Sequence, residues 1–78
     1  MATVRQIELY DIVELLEPIG AAPAGARGGV IEFIRDGTVA EIELIEPKFE
    51  DILDSIVYAT PDQLRLVKRH GSKSDSAS

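Results

Sequence analysis

The dipeptide Asp36-Gly37 stands between two apolar-rich runs, and this arrangement limits the fold more than any other feature of the chain. Asp-Gly between strand-like runs is a strong hairpin signal, because the favoured type I′ turn needs positive φ at both central residues. We therefore expect an antiparallel hairpin whose strands cover residues 28–35 and 38–45. Pro47 ends the second strand, since proline lacks a backbone donor.

The position of the turn also predicts which residues share a face of the hairpin. A two- or four-residue loop about Asp36-Gly37 places Glu32 opposite Glu41, and opposed residues point to the same side of a sheet. One side is apolar and is predicted to face the core: Ile31, Phe33, Ala40, Ile42 and Leu44. The other side mixes glutamates with aliphatic side chains: Val30, Glu32, Ile34, Val39, Glu41 and Glu43.

The rest of the chain is also typical of short strands separated by turns. Residues 11–16 are predicted to form a strand, and the prolines and glycines of 17–26 favour a loop. Residues 56–59 and 66–67 are two further strands. Between them, Thr60-Pro61 suits the cap and first position of a short helical turn. The prediction is an all-β domain of five strands with a 3₁₀ turn before the last.

Length and composition favour one small domain. The chain has 78 residues and no cysteine, which removes disulfides, cysteine nucleophiles and thiolate metal sites. We expect a single domain over residues 1–70 and a disordered, Ser-rich tail over 71–78. No segment has the length of a membrane span or the apolar core of a signal peptide. These features predict a cytoplasmic protein that does not bind membranes.

The negative charge is concentrated in one part of the chain. Eight acidic residues and only two basic ones lie between Glu32 and Asp54, so this segment accounts for the net charge of −6. Phosphate contacts supply most of non-specific nucleic-acid binding, and such a surface repels them. We therefore expect no nucleic-acid partner.

No residue pattern indicates catalysis, a metal or a cofactor. His70 is the only histidine, and no nucleophile–base pair accompanies it. The acidic residues Glu50, Asp51 and Asp54 lack the spacing of a calcium loop. The glycines at 25, 28 and 29 form no phosphate-binding motif and favour close strand crossing in a small barrel. The prediction is a protein that is not an enzyme.

Three short motifs stand at the borders of the predicted strands: Asp11-x-Val13, Gly25-x-x-Gly28-x-Val30 and Pro61-Asp62-Gln63-Leu64. Together they resemble a family of small bacterial proteins catalogued as domain of unknown function 4926. The resemblance covers residues ~7–68 and departs from the family in the loop after the first strand and around residues 47–55. It implies a five-stranded SH3-like barrel. It implies no activity, because the family has none established, and some members lie beside toxin-like genes.

Three explanations of the mixed hairpin face stay open. Outward glutamates can simply keep a small acidic protein soluble. Alternatively, the face binds a basic protein partner, as an antitoxin or immunity-type inhibitor would. In that case Glu32, Glu41 and Glu43 supply charge, and Ile34 and Val39 supply apolar contacts. The third explanation is a homodimer that buries Ile34, Val39 and one of Ile12 or Val13.

Overall fold

A computed structural model describes residues 7–70 as five strands and one 3₁₀ turn. The strands are β1 (Ile12–Leu15), β2 (Arg27–Ile34), β3 (Val39–Glu46), β4 (Ile56–Ala59) and β5 (Leu64–Lys68), and the 3₁₀ turn is Pro61–Gln63. The first six residues and the predicted tail at 71–78 lie outside the described residues.

All five strands belong to one antiparallel sheet in the order β4-β3-β2-β1-β5. The 3₁₀ turn connects the two strands at opposite ends of this order. A strongly twisted sheet of this size curls around one core, which is the architecture of SH3-like barrels. The predicted fold class, with the 3₁₀ turn before the last strand, is therefore confirmed.

The hairpin turn lies where Asp36-Gly37 predicts it. The loop has four residues, 35–38, and Arg35, Asp36 and Gly37 all have positive φ. The backbone N–H of Gly37 donates to the carbonyl of Ile34 at 3.1 Å. Next to this loop the predicted register is correct, since Glu32 pairs with Glu41 and the two pairs between them and the loop, Phe33 with Ala40 and Ile34 with Val39, are also as predicted.

Beyond the first three pairs the register shifts by one residue, because β2 contains a bulge at Ile31. Val30 lies opposite Ile42 and is fully buried, whereas Ile31 is 36% exposed. The prediction that Ile31 faces the core and Val30 faces outward is therefore wrong. A bulge adds an unpaired residue and bends the strand, which helps a small sheet to close around its core.

The core consists of small and aliphatic side chains from all five strands. Its buried members in the strands are Val13, Leu15, Val30, Ala40, Ile42, Leu44, Val57, Ala59 and Leu64. Phe33 is half-buried and packs against this cluster. Ala22 and Ala26 extend the core into the loop between β1 and β2. The predicted core positions other than Ile31 are thus correct.

At Gly28, strands β2 and β3 approach each other closely. A Cβ atom at this position would lie 2.4 Å from the backbone oxygen of Glu43 and 2.8 Å from Cγ2 of Ile42. Neighbouring Gly29 has more room, since its Cβ would meet only Cδ1 of Ile12 at 3.8 Å. The Gly-Gly pair at the start of β2 therefore contains one glycine that packing requires and one that it does not.

Candidate protein-binding face

We define the outer face as the solvent side of β2, β3 and β4. The five residues predicted to bind a partner all lie on it: Glu32, Ile34, Val39, Glu41 and Glu43. The structure brings four of them together, because Ile34 pairs with Val39 and Glu32 pairs with Glu41 in the adjacent row. Glu43 lies one row further along, opposite Gly29, and is exposed.

Tyr58 completes the outer face and was not among the predicted site residues. It pairs with Glu41 across β3 and β4, and it is 51% exposed. Glu32, Glu41 and Tyr58 thus form one row across three strands. Successive side chains of a strand point to opposite faces, so Tyr58 points outward because its neighbours Val57 and Ala59 are buried. The sequence contains no signal that β4 pairs with β3 in this register.

A groove of about 490 Å³ adjoins the apolar end of the outer face. Its lining includes Ile34, Val39 and Tyr58, with Arg35 at the hairpin loop and Thr60 and Gln63 at the 3₁₀ turn. Apolar walls with a few polar groups are typical of binding grooves. The two predicted apolar contact residues therefore lie in a concave surface and share it with an aromatic ring.

Hydrogen bonds of Gln63 fix the 3₁₀ side of the groove. Its side-chain oxygen accepts the backbone N–H of Thr60 at 2.9 Å, and its own backbone N–H donates to the Thr60 carbonyl at 2.9 Å. Its Nε2 donates to Glu17 at 2.6 Å, which connects the turn to the loop after β1. The Pro61-Asp62-Gln63-Leu64 motif thus positions one wall of the groove.

In the part of the chain that the structure describes, the carboxylates of the outer face form no ion pair. Within residues 7–70 the ion pairs join Arg65 to Glu14, and Arg69 to Glu8 and Asp11. None of these pairs includes Glu32, Glu41 or Glu43. Like charges directly opposed on a ladder are destabilising by roughly 0.2–1 kcal/mol. Among the described residues the outer face therefore carries carboxylates without an ion-pair partner, beside a groove whose lining is partly apolar and includes Arg35.

Residues 7–70 contain no group of three or more His, Cys, Asp or Glu side chains that could hold a metal ion. No helical segment among them is long and apolar enough to cross a membrane.

Comparison of the chain with protein-family models, curated proteins and solved structures finds no match.

Proposed function

We propose that the protein is a non-enzymatic binding module whose outer face engages a basic protein partner. The observation that carries this proposal is the direct pairing of Glu32 with Glu41, without a cation beside either carboxylate in the described chain. A Lys or Arg side chain placed between the two would convert a repulsive pair into two attractive contacts. Charge complementarity of this kind sets partner choice and accelerates association.

The neighbouring groove supports the same assignment. Ile34 and Val39 are half-buried, and Tyr58 presents about half of its surface to solvent. Aromatic and aliphatic side chains at the centre of an interface, with charges at its rim, are the common arrangement in protein–protein contacts. An apolar side chain of the partner would fill the groove while basic side chains contact the carboxylates.

A specific form of this function is the inhibition of a basic enzyme, as in antitoxin or immunity-type proteins. The acidity of the outer face supports it, and so does the resemblance to domain of unknown function 4926. A cytoplasmic location belongs to the same proposal. The identity of the neighbouring gene tests this form: a gene for a basic, growth-inhibiting protein supports it, and a gene without such a product contradicts it.

Affinity capture from cell extract tests the proposed function. The bait proteins are the wild type, the face variant Glu32→Lys/Glu41→Lys and the loop variant Glu50→Lys/Asp54→Lys. Both variants change the net charge equally, and all four substituted residues are outside the core. We expect a basic protein to be recovered with the wild type and the loop variant and lost with the face variant. An identical protein profile for all three baits would contradict the proposal.

Self-association is a second candidate function, and exposed apolar side chains favour it. Ile45, Ile52 and Leu53 are 53%, 64% and 80% exposed. Two β1 residues were predicted as alternative dimer contacts. Val13 is fully buried, so only the half-buried Ile12 can contribute to such a contact. Sedimentation equilibrium at micromolar concentration separates the candidates, since a monomer would exclude the homodimer.

A further inference from the structure

Strand β4 forms one edge of the sheet, and some of its backbone groups have no partner within residues 7–70. Among residues 7–70 it pairs only with β3. The N–H of Leu44 donates to the carbonyl of Ser55 at 2.7 Å, just before β4 begins. In an antiparallel ladder every second pair is hydrogen-bonded. The pairs of Val57 and Ala59 with β3 are therefore the bonded ones, and the N–H and C=O groups of Ile56 and Tyr58 point away from the sheet.

The two edges of the sheet differ in chemistry. Edge strands commonly carry charged side chains or proline, which prevent pairing with other chains. The opposite edge strand, β5, follows this rule with Arg65 and Lys68, both exposed. β4 reads Ile-Val-Tyr-Ala and contains neither a charged residue nor a proline. Thus the charges of β5 disfavour added strands, especially basic ones, whereas β4 has no such charge and no second neighbouring strand in the described part of the chain.

We propose that the partner supplies an extended, basic segment that pairs with the open edge of β4 as an additional strand. Strand addition is an established mode of peptide recognition, in which backbone hydrogen bonds give affinity and alternate side chains give specificity. The backbone groups of Ile56 and Tyr58 would bond to this segment. The inference rests on the proposed function, because it specifies the form of the partner that the outer face binds.

Side-chain geometry explains why the added segment is basic. Strands lie about 4.8 Å apart, so the added strand would lie about 10 Å from β3 and its glutamates. A Lys or Arg opposite Tyr58 can lay its stem across the aromatic ring, with a favourable cation–π contact, and direct its charge towards Glu41. A basic residue two positions along lies opposite Ile56, in the row that contains Glu43.

Charge also favours a basic segment over a second copy of this chain. A second copy paired through β4 would bring two proteins of net charge −6 together, each with glutamates in the strand next to the contact. Like charges brought together at an interface are unfavourable and select against that partner. The groove beside Tyr58, Ala59 and Thr60 can accept a side chain of the incoming strand.

Two synthetic peptides test the inference with the full chain. The first is a short, acetylated peptide of alternating lysine and valine, and the second has the same sequence with methylated amide nitrogens. Methylation keeps the charge and removes the backbone donors that strand addition needs. Affinity is measured by calorimetry, and backbone amide exchange is followed by NMR. We expect the first peptide to slow exchange at Ile56 and Tyr58 about tenfold, and methylation to weaken binding at least about tenfold.

The possible results separate this inference from the proposed function. Equal binding of both peptides, lost in Glu41→Gln, would overturn strand addition and leave the basic partner in place. Failure of both peptides to bind at millimolar concentration would overturn both. The amides of Ile56 and Tyr58 could also exchange slowly without peptide, and more slowly at higher protein concentration. That result would assign the edge to a second copy of the chain and overturn the inference.

Discussion

At the scale of single residues, Asp11 connects the two ends of the described chain. Its side chain is 1% exposed, and its two oxygens accept the N–H of Glu8 at 2.8 Å and the N–H of His70 at 2.9 Å. Arg69 lies 3.5 Å from the same carboxylate. Burial of a carboxylate is favourable only with such partners. The Asp11-x-Val13 motif thus joins the residue before β1 to the segment after β5.

Replacement of Asp11 by Asn should therefore destabilise the fold. The change removes the charge and leaves only one acceptor oxygen for two N–H donors, which should lower the free energy of unfolding by about 1–3 kcal/mol. Urea denaturation measures this difference. Asp36→Asn is the matched control, because Asp36 is exposed in the hairpin loop, and it should change stability by less than about 0.5 kcal/mol. Equal effects of the two substitutions would contradict the role of Asp11.

The two glycines at the start of β2 give a second prediction at this scale. Gly28→Ala forces a methyl group against the backbone of Glu43, which cannot rotate away, and should cost about 1–3 kcal/mol. Gly29→Ala meets only the end of a flexible isoleucine at van der Waals distance and should be nearly neutral. Thermal unfolding of both variants measures the difference. Tolerance of Gly28→Ala would show that the strands cross less closely than described.

At the scale of elements, the β2–β3 hairpin shows how far the sequence predicts structure. Asp-Gly and the apolar alternation predict the turn and the register next to it, because both depend on local backbone preferences. The bulge at Ile31 depends on closure of the whole sheet, and residues 30 and 31 are both β-branched and equally suited to the core. Alternation counted from the turn therefore assigns Ile31 to the core, and neither residue type signals that the bulge places Val30 there instead.

Alanine substitutions on either side of the bulge test this register. Val30→Ala removes two buried methyl groups and should cost about 2 kcal/mol. Ile31→Ala removes more atoms from a partly exposed side chain and should cost less, about 1 kcal/mol or below. Urea denaturation of the two variants gives the order. If Ile31→Ala is the more destabilising, the regular hairpin without a bulge is correct.

The residues of the candidate site were predictable where they lie near the hairpin turn, and not where they depend on the pairing of distant strands. All five predicted residues are on the outer face, because Ile34, Val39, Glu32 and Glu41 lie in the part of the hairpin that the turn defines, and Glu43 keeps its side by alternation along β3. Tyr58 was missed because its place beside Glu41 depends on the pairing of β4 with β3. That contact follows a connection of nine residues, 47–55, and no local preference sets its register.

The opposed glutamates give a prediction about the free protein. Replacement of Glu41 by Gln removes one member of the like-charged pair and should raise the free energy of unfolding by some tenths to about 1 kcal/mol. The gain should shrink as salt screens the repulsion in the wild type. Glu50→Gln, an exposed residue in the β3–β4 connection, is the control. Destabilisation by Glu41→Gln would show that the carboxylate has a favourable partner in the free protein.

At the scale of the whole molecule, charge is divided between the two ends of the sheet. The acidic segment from Glu32 to Asp54 includes the last three residues of β2 and all of β3, next to the uncharged β4, whereas β5 and its end carry Arg65, Lys68 and Arg69. A divided charge distribution orients a charged partner before contact and accelerates association. A basic partner would therefore approach the β4 side of the barrel.

Binding of basic segments by the outer face is tested by comparing the face and loop variants with a defined ligand. Calorimetric titration with the alternating lysine–valine peptide gives its affinity for the wild type, for Glu32→Lys/Glu41→Lys and for Glu50→Lys/Asp54→Lys. We expect the face variant to lose at least about tenfold in affinity and the loop variant to stay within about threefold of the wild type. Equal losses in both variants, or no loss in either, would contradict binding of basic segments by the outer face.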